Sequence, residues 1–265
     1  MFSSPPRVLR RYGVLLALCG PLFGWTQEAR AAGASAFGIS ASFSSGGATT
    51  VINPVNPLKG GTSTTFDKTA NSGAYQKTLL LAAGATPVPA LVVSAKNFQS
   101  HVKGGFGVDT ISAEGDANAT GLDISLQLYP PVPGPVPQPF LHITAAAVHD
   151  NGSYNLVVPA LAGVDASAFI SGLTVTGTLL HGVTLQYSGA PARNHILFQS
   201  PTMTITLDQR ISAELISCTP KCVITPVSIG ATAIEITLTN ANINGHKVSG
   251  QIDIGGTAAG SELPL

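Results

Sequence analysis

The sequence predicts an all-β protein, an antiparallel β-sandwich with long loops. Three observations point there. Apolar and polar residues alternate at period two in most ordered-looking stretches, as where Leu122, Ile124, Leu126 and Leu128 alternate with Asp123, Ser125 and Gln127. Turn signals separate the runs, among them Asn151-Gly152, Asn244-Gly245 and Ser188-Gly189, the first two being good hairpin dipeptides. A sustained helical period is almost missing.

Taken in chain order, residues 1–31 read as a secretory signal. Arg7, Arg10 and Arg11 precede an apolar run, and small residues follow at Ala29-Arg30-Ala31 and Ala32-Gly33-Ala34. Cleavage is expected after Ala31, or as late as Ala34. The apolar run is interrupted by Gly20-Pro21 and falls short of the ~20 residues that cross a bilayer, so no membrane span is expected in the mature chain. Residues 32–265 then form a single all-β domain. Alternation predicts strands at 37–43, 92–98, 122–128, 141–148, 173–180, 183–187, 196–199, 203–207, 211–217, 223–229, 233–238 and 248–254. Thr, Ser and Gln fill their polar positions. Thr suits this role because its branched Cβ packs across strands while its hydroxyl stays hydrated.

Residues 76–83 and 160–169 are candidates for short helices, the second weakened by Gly163 and Pro159. Residues 49–73, rich in Gly, Ser, Thr, Asn and Pro, read as a loop insertion, and 86–89 as a stiff turn. The segment 130–139 holds six prolines in ten residues, which excludes a central strand and suits a stiff connector.

Charge narrows the function classes. Only 10% of residues are charged, far below the usual quarter, which disfavours coiled coils, charged tails and electrostatic nucleic-acid binding. Loss of the leader removes Arg7, Arg10, Arg11, Arg30 and Glu28 and leaves nine basic and twelve acidic residues, a net charge of −3. Cys19 also leaves. Cys218 and Cys222 remain, and an even pair in an exported chain is most simply a disulfide stapling the tip of a hairpin.

Catalytic signatures are scarce. The sequence carries no nucleophile elbow, zinc helix, phosphate loop or dinucleotide fingerprint. The six histidines are scattered, and His149-Asp150 cannot form a base with its orienting carboxylate if both lie on one strand, because neighbours point to opposite faces. Residues 104–112 match the calcium-binding nonapeptide pattern once, although that chemistry needs tandem copies. Residues 116–121 mimic the start of an EF-hand loop, with Gln127 where the bidentate Glu belongs. Asp109, Glu114, Asp116 and Asp123 are therefore a candidate calcium cluster, set against the simpler reading of a solvated loop. No other cofactor is expected.

Two ends of the chain carry a resemblance. Residues 34–42, the stretch 224–258 with Ile234-Glu235-Ile236 and Gln251-Ile252-Asp253-Ile254, and the similarly ordered 170–210 resemble the choice-of-anchor P proteins of bacterial surfaces. The resemblance implies an exported, Thr- and Gly-rich β protein. The expected function is a noncatalytic surface or extracellular structural or interaction protein, at the cell surface, outside the cell or in the periplasm. Its partner would be a protein or a cell-surface glycan, not nucleic acid. The alternatives are a calcium- or carbohydrate-binding adhesin module and an extracellular hydrolase with an unrecognised site.

Overall fold

A computed structural model of the chain describes residues 31–62, 65–81, 87–107, 110–130, 139–157, 162–218 and 222–262. Two antiparallel sheets pack face to face. Sheet I runs β12 (His195–Gln199), β13 (Met203–Cys218), β14 (Cys222–Ile243), β15 (His246–Glu262), β1 (Ala31–Ser45), and then β2 (Ala48–Ile52) with β3 (Leu58–Thr62) along one edge. Sheet II runs β11 (Leu185–Gly189), β10 (Ala162–Thr176), β9 (Leu141–Val157), β8 (Thr110–Tyr129), then β6 (Val88–Ala95) with β7 (Asn97–Phe106), and β5 (Tyr75–Leu80) with β4 (Phe66–Asn71). Among the described residues the one helical piece is a 3-10 turn, Thr178–Leu180, and no helix is long and apolar enough to cross a membrane.

The paired short strands are halves of longer ones. β6 and β7 keep a single register against β8, Ser94 opposite Asp123 and Asn97 opposite Thr120, so together they form one strand kinked at Lys96. β4 and β5 lie alongside them in the same way, and Ser72 N–H donates to Phe98 O at 2.9 Å across the break. The same kink recurs in strands that are continuous. In β8, Ala113, Ala117 and Ala119 face inward before Gly121, and Leu122, Ile124 and Leu126 face inward after it. Gly121 takes φ 56°, Gly172 of β10 takes 62°, Gly255 of β15 takes 65° and Asp208 of β13 takes 51°. At each of these the alternation slips by one. Neighbouring strands slip at the same level, and the ladder resumes in register beyond it.

This transverse line divides the interior. On one side lies a large core of Ile39, Phe43, Leu91, Phe98, Ile124, Ile143, Leu173, Ile205, Ile236 and Ile254. On the other the sheets meet through small residues, Ala32, Ala34, Ala36, Ala113, Ala117 and Ala259, with Phe66, Tyr154 and Leu156. Approach there is close: a Cβ built on Gly115 of β8 would stand 2.5 Å from the Ser35 carbonyl oxygen of β1 and 3.3 Å from that of Ala258 on β15. The Phe66 ring lies between Gly60 of one sheet and Gly104 of the other, filling the space two side chains would need.

Several sequence expectations are corrected. Of residues 76–83, 76–80 belong to β5, and of 160–169, 162–169 belong to β10. In β10 Ala166, Ala168 and Ile170 alternate inward, so packing overrides the helical tendency of alanine. Much of the expected loop 49–73 is edge strand, whose polar and glycine-rich composition reflects a half-solvated position. The expected strand 173–180 ends at Thr176, and β11 starts at Leu185. Nearly all of the proline-rich segment, 131–138, lies outside the described residues.

Candidate functional site on the outer face of sheet II

Pairing in register places one outward side chain from each of five strands in successive rows. One row reads Thr69, His101, Asp116, Asn151, Ser167, and the next reads Asp67, Lys103, Glu114, Ser153, Asp165. These side chains hold one another. His101 Nε2 and Asp67 Oδ1 are 2.8 Å apart. Lys103 Nζ lies 2.9 Å from Glu114 Oε2, while Asn151 Nδ2 donates to Glu114 Oε1 at 3.0 Å. Asn118 Nδ2 donates to Asp116 Oδ1 at 2.7 Å, and Asn118 Oδ1 lies 2.8 Å from His149 Nδ1, whose Nε2 is 3.7 Å from Asp116 Oδ2.

The charges of the array are asymmetric, with Asp67, Glu114, Asp116 and Asp165 against Lys103, and Arg210 of β13 approaches Asp165 from the other sheet. Burial raises the Asp116 carboxyl above its ordinary value, while His149 and His101 oppose the rise. Hydrogen bonding to Glu114, and then its charge, raises Lys103. Beyond the charged row the side chains become small, Gly105, Ser112 and Asn155, and a groove of about 560 Å³ opens there between Thr65, Asp67, Lys103, Glu114 and Ser153. Its wall is more apolar than polar, with Phe66, Tyr154 and Ala113 beside the hydroxyl, amide and carboxylate groups, and Lys103 and Glu114 both line it.

The candidate calcium residues fare unequally. Glu114 and Asp116 share this face, but each is already engaged by neighbours. Asp123 points outward seven residues along β8, roughly 20 Å away at strand rise, and sits 3.1 Å from His142 Nε2. Asp109 lies outside the described residues. The described ends of the nonapeptide match pair as antiparallel strands, with Gly105 opposite Ser112, and not as successive parallel turns. The EF-hand mimic is extended strand and cannot wrap an ion. Among the described residues no group of three or more His, Cys, Asp or Glu is arranged to hold a metal. Cys218 stands opposite Cys222 at the end of the β13–β14 hairpin, and both side chains lie outside the described residues. His149 faces outward and Asp150 is buried, on opposite faces as strand geometry requires.

Sequence reasoning missed one constellation, on the outer face of sheet I. Glu235 of β14 stands opposite Asp253 of β15. The Gln251 amide donates to both, at 2.8 Å to Glu235 Oε2 and 2.6 Å to Asp253 Oδ1, and the Gln209 amide lies against the Glu235 carboxylate. Burial raises both carboxyls, and for Glu235 the charge of Asp253 adds to it. The signal was Ile-Glu-Ile and Ile-Asp-Ile, acids at outward positions of apolar strands, but only the register makes them a pair. Compared with known proteins, the chain matches no family model, no curated protein and no solved structure.

Proposed function

We propose that the chain is an exported, noncatalytic interaction protein of the extracellular space or cell surface, of choice-of-anchor P type, and that the outer face of sheet II is its contact surface. The observation that carries this reading is the array itself. Its Asp, Glu, Asn, His and Lys side chains on four adjacent strands hold one another, so less rotamer freedom remains to be lost when a partner binds. A leader cut after Ala31 suits the sandwich better than one after Ala34, because Ala32 and Ala34 are buried and pair with Ser261 and Ala259. The expected Cys218–Cys222 bond would close the hairpin tip.

A second reading follows from the groove. Hydroxyl and amide groups beside planar carboxylates are the chemistry that recognises sugar hydroxyls, so a neutral cell-surface glycan is the occupant that fits it. Both readings are tested by adding the labelled protein to cells and to a glycan array, alongside Ser112→Arg, which fills the groove from an exposed strand position. Binding lost in the folded variant supports the proposal. Equal retention of wild type and variant on cells removes the groove, and no retention of either removes the contact surface.

A further inference from the structure

Between the two cores lies a polar seam. Asp150 of β9 and Asp208 of β13 are both fully buried. Arg210 occupies Asp208 through two hydrogen bonds, Nε to Oδ1 at 2.8 Å and Nη2 to Oδ2 at 2.5 Å, and approaches Asp165 Oδ1 at 3.7 Å. Asp150 has no such cation. Its Oδ2 accepts from Thr257 Oγ1 of β15 at 2.6 Å, across the sandwich, and its Oδ1 has no partner.

What faces Asp150 offers little compensation. From β13 come Asp208 and Arg210, one charge of each sign. From β8 come Ala117 and, directed to the outer face, Asp116. β10 contributes Ala168, and β15 contributes Thr257 and Gly255, where a Cβ would stand 3.4 Å from that of Asp150 and 3.3 Å from Ala233 of β14. An ionised carboxylate in such a place, with one hydrogen bond and a buried carboxylate nearby, is strongly disfavoured.

We propose that Asp150 is a proton-operated latch between the sheets: the seam accommodates it as the neutral acid, and when it loses its proton the cost of a buried charge, which the Thr257 hydroxyl offsets only in part, loosens the small-residue half of the sandwich. Burial, countered in part by Thr257, pushes its pKa up to about 8. The folded chain therefore holds a proton that the unfolded chain has released, in the window from the ordinary carboxylate range to about pH 8. Stability contributed by that proton is complete below the window and is lost as pH rises through it.

The test uses the full chain. Unfolding is measured from acid pH to about pH 9 for wild type and Asp150→Asn, with infrared difference spectra and amide exchange at Gly256 and Asn151. The expected result is an unfolding constant that rises by up to about tenfold per pH unit more steeply in wild type than in Asp150→Asn. A neutral-carboxyl infrared band at about pH 6 is expected in the wild-type-minus-variant difference, and exchange protection at Gly256 is expected to fall as that band titrates. Identical pH slopes, or an Asp150 carboxyl already ionised at about pH 6, would overturn the proposal. If Asp150→Asn does not fold, Thr257→Val decides instead. Loss of the hydroxyl that favours the anion should move the infrared midpoint to higher pH, and an unmoved midpoint refutes the latch.

Discussion

Substituting Gly115 by Ala places one methyl group where the two sheets touch backbone to backbone. The new carbon would stand 2.5 Å from Ser35 O, and ordinary contact begins at 3.4 Å, so β1 must retreat by about 0.9 Å. A gap of that size forfeits a quarter to a half of each dispersion contact around it, and the alanines flanking Gly115 have no longer side chains with which to refill it. Overpacking of a tight core costs about 1–3 kcal/mol, and the upper end applies because both obstacles are main chain. The stiffer unfolded chain returns about 0.5 kcal/mol. Gly115→Ala should therefore cost roughly 2–3 kcal/mol and lower Tm by roughly 4–12 °C. Denaturant and thermal unfolding at neutral pH measure it, with Gly163→Ala as control, where the nearest atom to a new Cβ is 3.8 Å away. A Gly115→Ala variant within about 0.5 kcal/mol of wild type would refute the close approach of the sheets.

Other outcomes follow from the same geometry. Arg210→Met leaves Asp208 buried without its cation and should cost about 3–5 kcal/mol in denaturant unfolding, whereas Asp208→Asn with Arg210→Met together should recover part of it. Glu235 and Asp253 have raised carboxyls, so the stability they contribute is complete in acid and declines as pH rises through the carboxylate range. Asp253→Asn should flatten that decline and bring the Glu235 titration, followed by NMR, to lower pH. Lys103→Ala breaks an exposed pair and should change stability by less than about 1 kcal/mol, so loss of cell-surface binding in this variant would report the contact surface and not the fold.

Fold class was legible because the large core is built from Leu, Ile and Val, whose alternation any period-two reading detects. The other half of each strand was not. In β8 the inward positions before Gly121 are Ala113, Gly115, Ala117 and Ala119, and alanine and glycine alternating with Glu114, Asp116 and Asn118 carry almost no hydrophobic signal. A strand of twenty residues thus read as 122–128. The slip at Gly121 also breaks the period, so the two halves cannot be joined by pattern alone. Site legibility had a similar limit. Glu114 and Asp116 were found because they are close in sequence, but their partners Lys103, Asn151 and His149 arrive from other strands. The pairing of Glu235 with Asp253 needs a register that alternation does not contain. Asp150 was seen only as a neighbour of His149, since nothing local announces that its face of β9 is the interior.

The pairing of β1 with β15 has a consequence for how the molecule is made. Among the described residues these are the first and last strands, and they lie side by side in the middle of sheet I, matched from Ala31 opposite Glu262 to Ser45 opposite Val248. During synthesis β1 emerges first and has β2 and β3 to pair with on one side, but its other edge stays bare until more than two hundred residues have followed. Contacts so distant in sequence form slowly, and an unpaired strand edge invites association with other chains. How well that bare edge is kept from other chains during the interval, as well as the stability of the finished sandwich, would then decide how much of the chain folds instead of associating.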